Sequence, residues 1–280
     1  MAGRDRHRRE VPPGRWRHLP ALVVAVLFTV PLLFMVAGSL RPTGPPPTTI
    51  DLLPDQLAFA NYARAVDLVD LPRYALNSLI VVAVAVPLTV VVASWAGFAM
   101  ARLSGRTAAW AVGVTLVALM VPTTALMVPR FAMFRTVGLT DTFIPLIAPS
   151  LIGTSPFYVL LFYWSFRRLP PELFEACRLE GITPVQTWWR VAIPLARPVT
   201  VAVAVLAFSF TWSNFLDPLI YLSDERMYTL PLGLRALAQV DPSNAPLLLA
   251  GATAATAPVV MAFLYVQRFF LRAHRGWLSA

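Results

Sequence analysis

Few residues in this sequence are equipped for covalent chemistry. Cys177 is the only cysteine, which rules out an intrachain disulfide and a multi-cysteine metal site. The three histidines, His7, His18 and His274, lie in the terminal tails or at the edge of an apolar run, so no histidine-held metal is expected in the apolar interior. The runs also lack the His cluster, the Ser/Lys or Ser/His pair and the paired aspartates that an intramembrane enzyme would need. What remains is recognition chemistry, concentrated in one polar stretch, residues 169–198, LPPELFEACRLEGITPVQTWWRVAIPLARP.

The spacing in that stretch predicts two short helices joined at a glycine. Pro171 suits a first helical position, and Glu172 and Glu175 near the N-terminal end complement the helix dipole. Gly181 supplies the left-handed residue that ends the first helix. Thr183, Pro184 and Gln186 then read as a capping box, with Thr as the cap and Gln at the third helical position. In the second helix Val185, Trp188, Trp189 and Ala192 fall at i, i+3, i+4 and i+7, which predicts one apolar stripe. From spacing alone that stripe fits a helix lying on lipid headgroups as well as it fits a protein-docking site.

The elements that must carry this stretch are membrane spans. With 58% apolar and 13% charged residues and a mean hydropathy of +0.66, the 280-residue chain departs from the soluble norm of about 25% charged. Uncharged runs lie between Arg17 and Arg41, Arg73 and Arg102, Arg106 and Arg130, Asp141 and Arg167, Arg197 and Asp217, and Asp241 and Arg268, each of roughly 19 to 28 residues. A helix needs about 20 to cross the hydrocarbon core, so the expectation is an all-α integral membrane protein with six transmembrane helices. They are placed near Leu19–Leu40, Leu76–Ala101, Ala108–Val128, Thr142–Phe166, Val199–Leu219 and Leu247–Val266. Pro31, Pro87, Pro122, Pro145, Pro149, Pro156 and Pro258 fall inside these spans and should bend them. The net charge of +9 would suggest nucleic acid in a soluble protein, but here the arginines sit at span ends and no nucleic-acid partner is expected.

Arginine placement sets the orientation. The cluster in residues 4–17, together with Arg102, Arg106, Arg167, Arg168, Arg268, Arg272 and Arg275, puts both termini and the 169–198 loop in the cytoplasm by the positive-inside rule. The N-terminal cluster reads as an orientation signal with some attraction to anionic lipid rather than as a specific binding site. The loop after the first span, with Asp51, Asp55, Asp67 and Asp70, has no positive excess, as an outside loop should not. The domains are then a cytoplasmic tail, 1–18, a six-helix permease domain, 19–268, and a second cytoplasmic tail, 269–280. No carboxylate, Arg or His is placed at mid-span, so the relay of a proton-coupled secondary carrier is not expected, nor are its inverted repeats seen.

The order Glu175, Ala176, Cys177, then Gly181, then Val191, Ala192, Ile193, Pro194 resembles the EAA loop of the membrane subunits of ABC importers. Cys177 stands where that pattern has a second Ala, and Val191 and Ile193 stand for its Ile and Leu. The resemblance is closest to the maltose-type carbohydrate-importer permeases, in particular the shorter of the paired subunits. It is also carried by NSLI (77–80), GFAMARL (97–103), VGLTDT (137–142), LPPEL (169–173), WSNFL (212–216) and YTLPLG (228–233).

That resemblance implies a type I ABC importer permease fold in the bacterial inner membrane. It also implies a partner permease, a cytoplasmic ATPase dimer that binds the ATP, and an extracytoplasmic solute-binding protein, with no catalytic residue, cofactor or metal in this chain. Glu175, Ala176, Cys177 and Gly181 would be ATPase-coupling residues, with Glu175 the polar contact and Gly181 the turn. Phe174 and Leu173 would lie on the docked face or pack against the protein's own spans. The cargo would be a carbohydrate or polyol, with an amino acid or phosphate ester as the alternative within the ABC class. Trp212, Asn214, Phe215 and Asp217 would lie on the translocation path. The acid that such permeases usually carry at the position of Asn214 is displaced here to Asp217, which either moves the polar contact or is simply solvated near the outer end of its span. The tail RFFLRAHRGWLSA lacks the usual glycine-rich, lysine-containing ending.

Overall fold

The computed structural model describes residues 19–45 and 56–277, with side chains over the same ranges except Ala21 and 268–277. The N-terminal arginine cluster, Asp51 and Asp55 lie outside the described residues, as do the side chains of Arg268, Arg272, His274 and Arg275. Every regular element described is helical.

The hub is α3 (Leu71–Ala101), whose 31 residues extend about 46 Å at 1.5 Å per residue. Asp70 starts it by accepting a hydrogen bond from the Arg73 backbone N–H, and Pro87 is absorbed in its interior. Around it pack α7 (Pro156–Arg167), α11 (Arg197–Trp212) and α13 (Leu230–Val240). At its C-terminal end the Arg167 guanidinium donates to the carbonyls of Ala101 and Leu103, 3.4 and 3.5 Å, which ties the end of α7 to the end of α3. Peripheral to this core, α1 (Leu19–Ser39) lies along α14 (Ala245–Trp277). Leu22 and Phe28 of α1 are 61% and 72% exposed, the side chains of a helix bathed in lipid rather than water.

Four helical stretches are long and apolar enough to cross a bilayer: Leu22–Ser39, Leu71–Ala101, Ile144–Arg167 and Ala245–Gln267. Two more arise as bent pairs, giving six if each pair is one span. The first pair joins α4 (Gly105–Met120) to the segment Thr123–Thr136, which contains α5 (Met127–Thr136), at 79°. Pro122 sits at that break, where it can neither donate a backbone hydrogen bond nor continue the helix. The bend expected at Pro122 in the span placed at 108–128 is thus a sharp break, and the helical segment after it runs on to Thr136. The second pair joins the segment Pro184–Leu195 to α11 at 86°. The single span placed at 199–219 is also broken, because α11 stops at Trp212 and a separate short helix, α12 (Leu216–Tyr221), follows.

The stretch Ile144–Arg167 is likewise segmented, through α6 (Ile144–Ile147), a 3₁₀ turn at Ala148–Ile152 and α7. Pro145 and Pro149 occupy first-turn positions in the first two segments and Pro156 opens the third, so these prolines start helices rather than kink one. Beyond the spans, α2 (Ala60–Leu68) and α13 cap one end of the bundle. Several of the family-like sequence pieces are joints at that end. Asn77 donates to the carbonyls of Arg226 and Tyr228, both at 2.9 Å, and Ser78 accepts from the Leu230 N–H at 2.8 Å. Asp141 accepts at its carboxylate from the backbone N–H groups of Ser223 and Asp224, binding the connection before α6 to the segment after α12.

Candidate functional site

The first helix of the polar stretch and the start of the second fold as the sequence predicts. Pro171 opens α8 (Pro171–Leu179), and the helix closes in a Schellman arrangement: the Gly181 N–H bonds the Arg178 carbonyl at 3.1 Å and the Ile182 N–H the Cys177 carbonyl at 2.9 Å. Gly181 takes φ +69°, the left-handed conformation this closure needs. Both halves of the capping box then start α9 (Pro184–Thr187), with Thr183 N–H to Gln186 Oε1 at 3.0 Å and Gln186 N–H to Thr183 Oγ1 at 3.3 Å.

The two faces of α8 are unlike. Phe174 turns inward, its ring 6.0 Å from that of Phe98 in an edge arrangement, and Cys177 is buried beside it. Leu173 is half-buried. Glu172, Glu175, Ala176 and Leu179 recur at i, i+3, i+4 and i+7 and are all exposed. Leu179 is 89% exposed, more than any other large apolar side chain described, yet it stands on a helix whose opposite face is packed. The sequence reading did not single out Leu179 for the site, although its position four residues after Glu175 was the available signal.

The second helix departs from the expected stripe. After α9 the backbone passes into a π-helical turn, Trp188–Ala192, with the Ile193 N–H reaching the Trp188 carbonyl, before α10 (Ile193–Leu195). Bonding at i→i+5 widens the turn and separates the stripe. Trp188 and Ala192 are buried, while Val185 is 50% and Trp189 61% exposed. Trp188 fastens the loop to the hub: its Nε1 donates to Ser94 Oγ at 3.2 Å, and its ring lies 5.2 Å from that of Trp95, both on α3. Trp188→Phe keeps the ring contact and removes that buried donor. We expect it to cost about 1 kcal/mol, read as a lower thermal unfolding midpoint of the purified protein in detergent.

The residues placed on a translocation path divide. Trp212 is buried against α14, donating from Nε1 to the Ala255 carbonyl at 2.9 Å and stacking on Phe208. Asn214, Phe215 and Asp217 instead line a cavity of about 640 Å³ bounded by α5, the turn at 148–154, the end of α11, and α12. Asp217 is not a solvated surface charge, for its side chain is only 16% exposed. Its Oδ2 accepts from Asn214 Nδ2 at 2.8 Å, and its Oδ1 faces the Arg130 guanidinium at 3.8 Å. Arg130 belongs to α5, beyond the 79° break of the first bent pair. Sequence reasoning set Arg130 at a span end, since it closes an uncharged run, and nothing local marks the 79° break that brings it to Asp217.

Comparison with known proteins agrees with this geometry. Residues 90–275 match the model of a family described as "Binding-protein-dependent transport system inner membrane component". The trehalose transport system permease protein SugB of Mycobacterium tuberculosis is 31% identical over 258 residues, covering 90% of this chain and 92% of the relative. The arabinooligosaccharides transport system permease protein AraQ of Bacillus subtilis is 28% identical over 256 residues, covering 89% and 90%. Among solved structures, a bacterial ABC transporter involved in the import of the acidic polysaccharide alginate superposes with a TM-score of 0.69 over 92% of this chain and 99% of that one, at 21% identity. The match over residues 90–275, two thirds of the sequence, makes this chain a member of the binding-protein-dependent transport system inner membrane component family.

Proposed function

We propose that this chain is one of two permease subunits of an ATP-driven bacterial importer for carbohydrate, with both termini and the 169–198 hairpin on the cytoplasmic side of the inner membrane. The hairpin docks on an ATPase dimer that holds the ATP, a second permease completes the path, and a solute-binding protein delivers cargo from outside. The observation that carries the reading is the exposed Glu172, Glu175, Ala176, Leu179 face on a helix whose other side is locked into the core through Phe174 and Cys177. A helix held in this way transmits force instead of swivelling. The named relatives that transport trehalose and arabinooligosaccharides support a sugar as the cargo.

The mechanism follows from the attachments. When ATP binding closes the ATPase pair, α8 moves with it, and Trp188 on Ser94 and Trp95 carries the displacement to α3. The chain leaves the hairpin through the 86° bend into α11, so translation of the hairpin becomes tilt of that helix. Driving a two-state transporter from 1:99 to 99:1 takes about 5.5 kcal/mol of differential stabilisation, and the hairpin is where that free energy enters.

The test is to purify the chain from its native membrane with its associated subunits, reconstitute the complex in proteoliposomes, and measure uptake across a panel of mono-, di- and oligosaccharides, an amino acid and a phosphate ester. We expect uptake of a sugar that requires both ATP and the co-purifying binding protein. Uptake confined to the amino acid or phosphate ester would overturn the cargo, and uptake driven by a proton gradient without ATP would overturn the transport class.

A further inference from the structure

Arg130 is an expensive residue to hold within a membrane domain, and the protein under-uses it. A guanidinium carries five N–H donors, and one in a membrane-spanning domain is normally paired with care. Here its side chain is 24% exposed, and its approach to Asp217 Oδ1, at 3.8 Å, is an ion-pair distance too long for a hydrogen bond. The guanidinium lies 5.9 Å from the centre of the Tyr221 ring, and Nη2 is buried with no hydrogen-bond partner among the described residues.

Asp217 is held in the complementary way. Asn214 grips it twice, donating from Nδ2 to Oδ2 at 2.8 Å and accepting the Asp217 backbone N–H at Oδ1, 3.2 Å. Those bonds fix the carboxylate and leave Oδ1, the oxygen facing Arg130, without a hydrogen-bond donor among the described residues. Arg130 Nη1 and Asp217 Oδ1, neither of them hydrogen-bonded among the described residues, therefore face each other 3.8 Å apart at the wall of the 640 Å³ cavity, while Nη2 is the buried nitrogen of the same guanidinium. That volume lies within the roughly 300–1,000 Å³ of small-molecule sites, and Met127, Phe134, Phe210 and Phe215 give the cavity apolar walls with a few convergent polar groups.

Adjacent hydroxyl groups match this arrangement, since one can donate to Asp217 Oδ1 while its neighbour accepts from Arg130. We propose that Arg130 and Asp217, buttressed by Asn214, form a diol clamp through which this subunit itself holds the carbohydrate during passage. This rests on the reading of the chain as a sugar importer subunit. A purely structural ion pair would be satisfied by its two charges, whereas the clamp needs a hydroxyl pair on the cargo.

The experiment uses the reconstituted importer, the sugar of the panel taken up fastest, and the monodeoxy analogues of that sugar. Uptake rates are measured with the binding protein saturated by each compound, so that its own preference drops out. Arg130→Met is expected to slow uptake of the parent sugar about tenfold, the loss of one charge-assisted hydrogen bond. One monodeoxy analogue should slow the unmodified importer by a similar factor and slow Arg130→Met no further than the substitution alone. Arg130→Met slowing every analogue by the same factor would overturn the clamp and leave a structural pair, as would unchanged rates throughout. Both of those results leave the sugar-importer reading standing, whereas failure of the unmodified importer to take up any sugar overturns the two together.

Discussion

Glu175→Ala and Gly181→Trp are each expected to reduce ATP-dependent uptake at least tenfold while leaving membrane insertion and protein level unchanged. Glu175 is exposed and has no hydrogen-bond or ion-pair partner among the described residues, so its removal should fall within the roughly ±0.5 kcal/mol of an ordinary surface substitution. Against a docked ATPase the same carboxylate would make a charge-assisted contact of about 1.5–3 kcal/mol, and losing it weakens docking by about 10- to 100-fold. At Gly181 the structure separates two effects. A Cβ there meets nothing within 4 Å, but φ is +69°, which costs a non-glycine residue roughly 1–2 kcal/mol. Gly181→Ala bears that backbone cost alone, while Gly181→Trp adds an indole projecting into the open space a partner must enter. Uptake that falls with Trp and stays near normal with Ala locates the docking surface. Normal uptake in both Glu175→Ala and Gly181→Trp would remove the hairpin from the coupling path.

How much of this was legible in the sequence depends on the range over which each feature is determined. The spans follow from the absence of charge, a local property, and the hairpin from caps and a glycine within a dozen residues, so both were readable. The prolines marked bending but not its form: Pro31, Pro87 and Pro258 are carried inside continuous helices, whereas Pro122 sits at a 79° break. What separates them is whether neighbours can accommodate the missing bond, which no single segment encodes. The Trp188 and Trp189 stripe failed because its spacing assumes 3.6 residues per turn, and a π turn runs through it. Trp212 was grouped with Asp217 through the family resemblance, yet the break after Ser213 sends the two to different neighbours. The Arg130–Asp217 pair was illegible for the plainest reason, being a tertiary contact between two segments that each look like a span end.

Gly97→Val is expected to destabilise the protein by about 1–3 kcal/mol, the range for overpacking a close-fitted core, and to impair transport beyond what reduced stability explains. At Gly97, α3 presses against α7 so tightly that an added Cβ would lie 2.6 Å from Phe162 Cβ, 2.8 Å from the Tyr163 backbone nitrogen and 2.9 Å from the Val159 carbonyl oxygen. Two of those atoms are helix backbone and cannot rotate aside, so the helices must part. The neighbouring Phe98 is where Phe174 of the 169–198 hairpin packs, and the Arg167 bonds to Ala101 and Leu103 lie one turn further on. Prying α3 from α7 therefore loosens the seat of the hairpin as well as the core. Gly113→Ala in α4 is the matched control, because nothing lies within 4 Å of its Cβ and the change should gain up to about 1 kcal/mol of helix propensity. The comparison is a thermal midpoint in detergent together with uptake per reconstituted complex. A midpoint for Gly97→Val equal to that of the unmodified protein would show that α3 and α7 are not in contact there, and normal uptake despite a lowered midpoint would show that the hairpin does not take its rigidity from that contact.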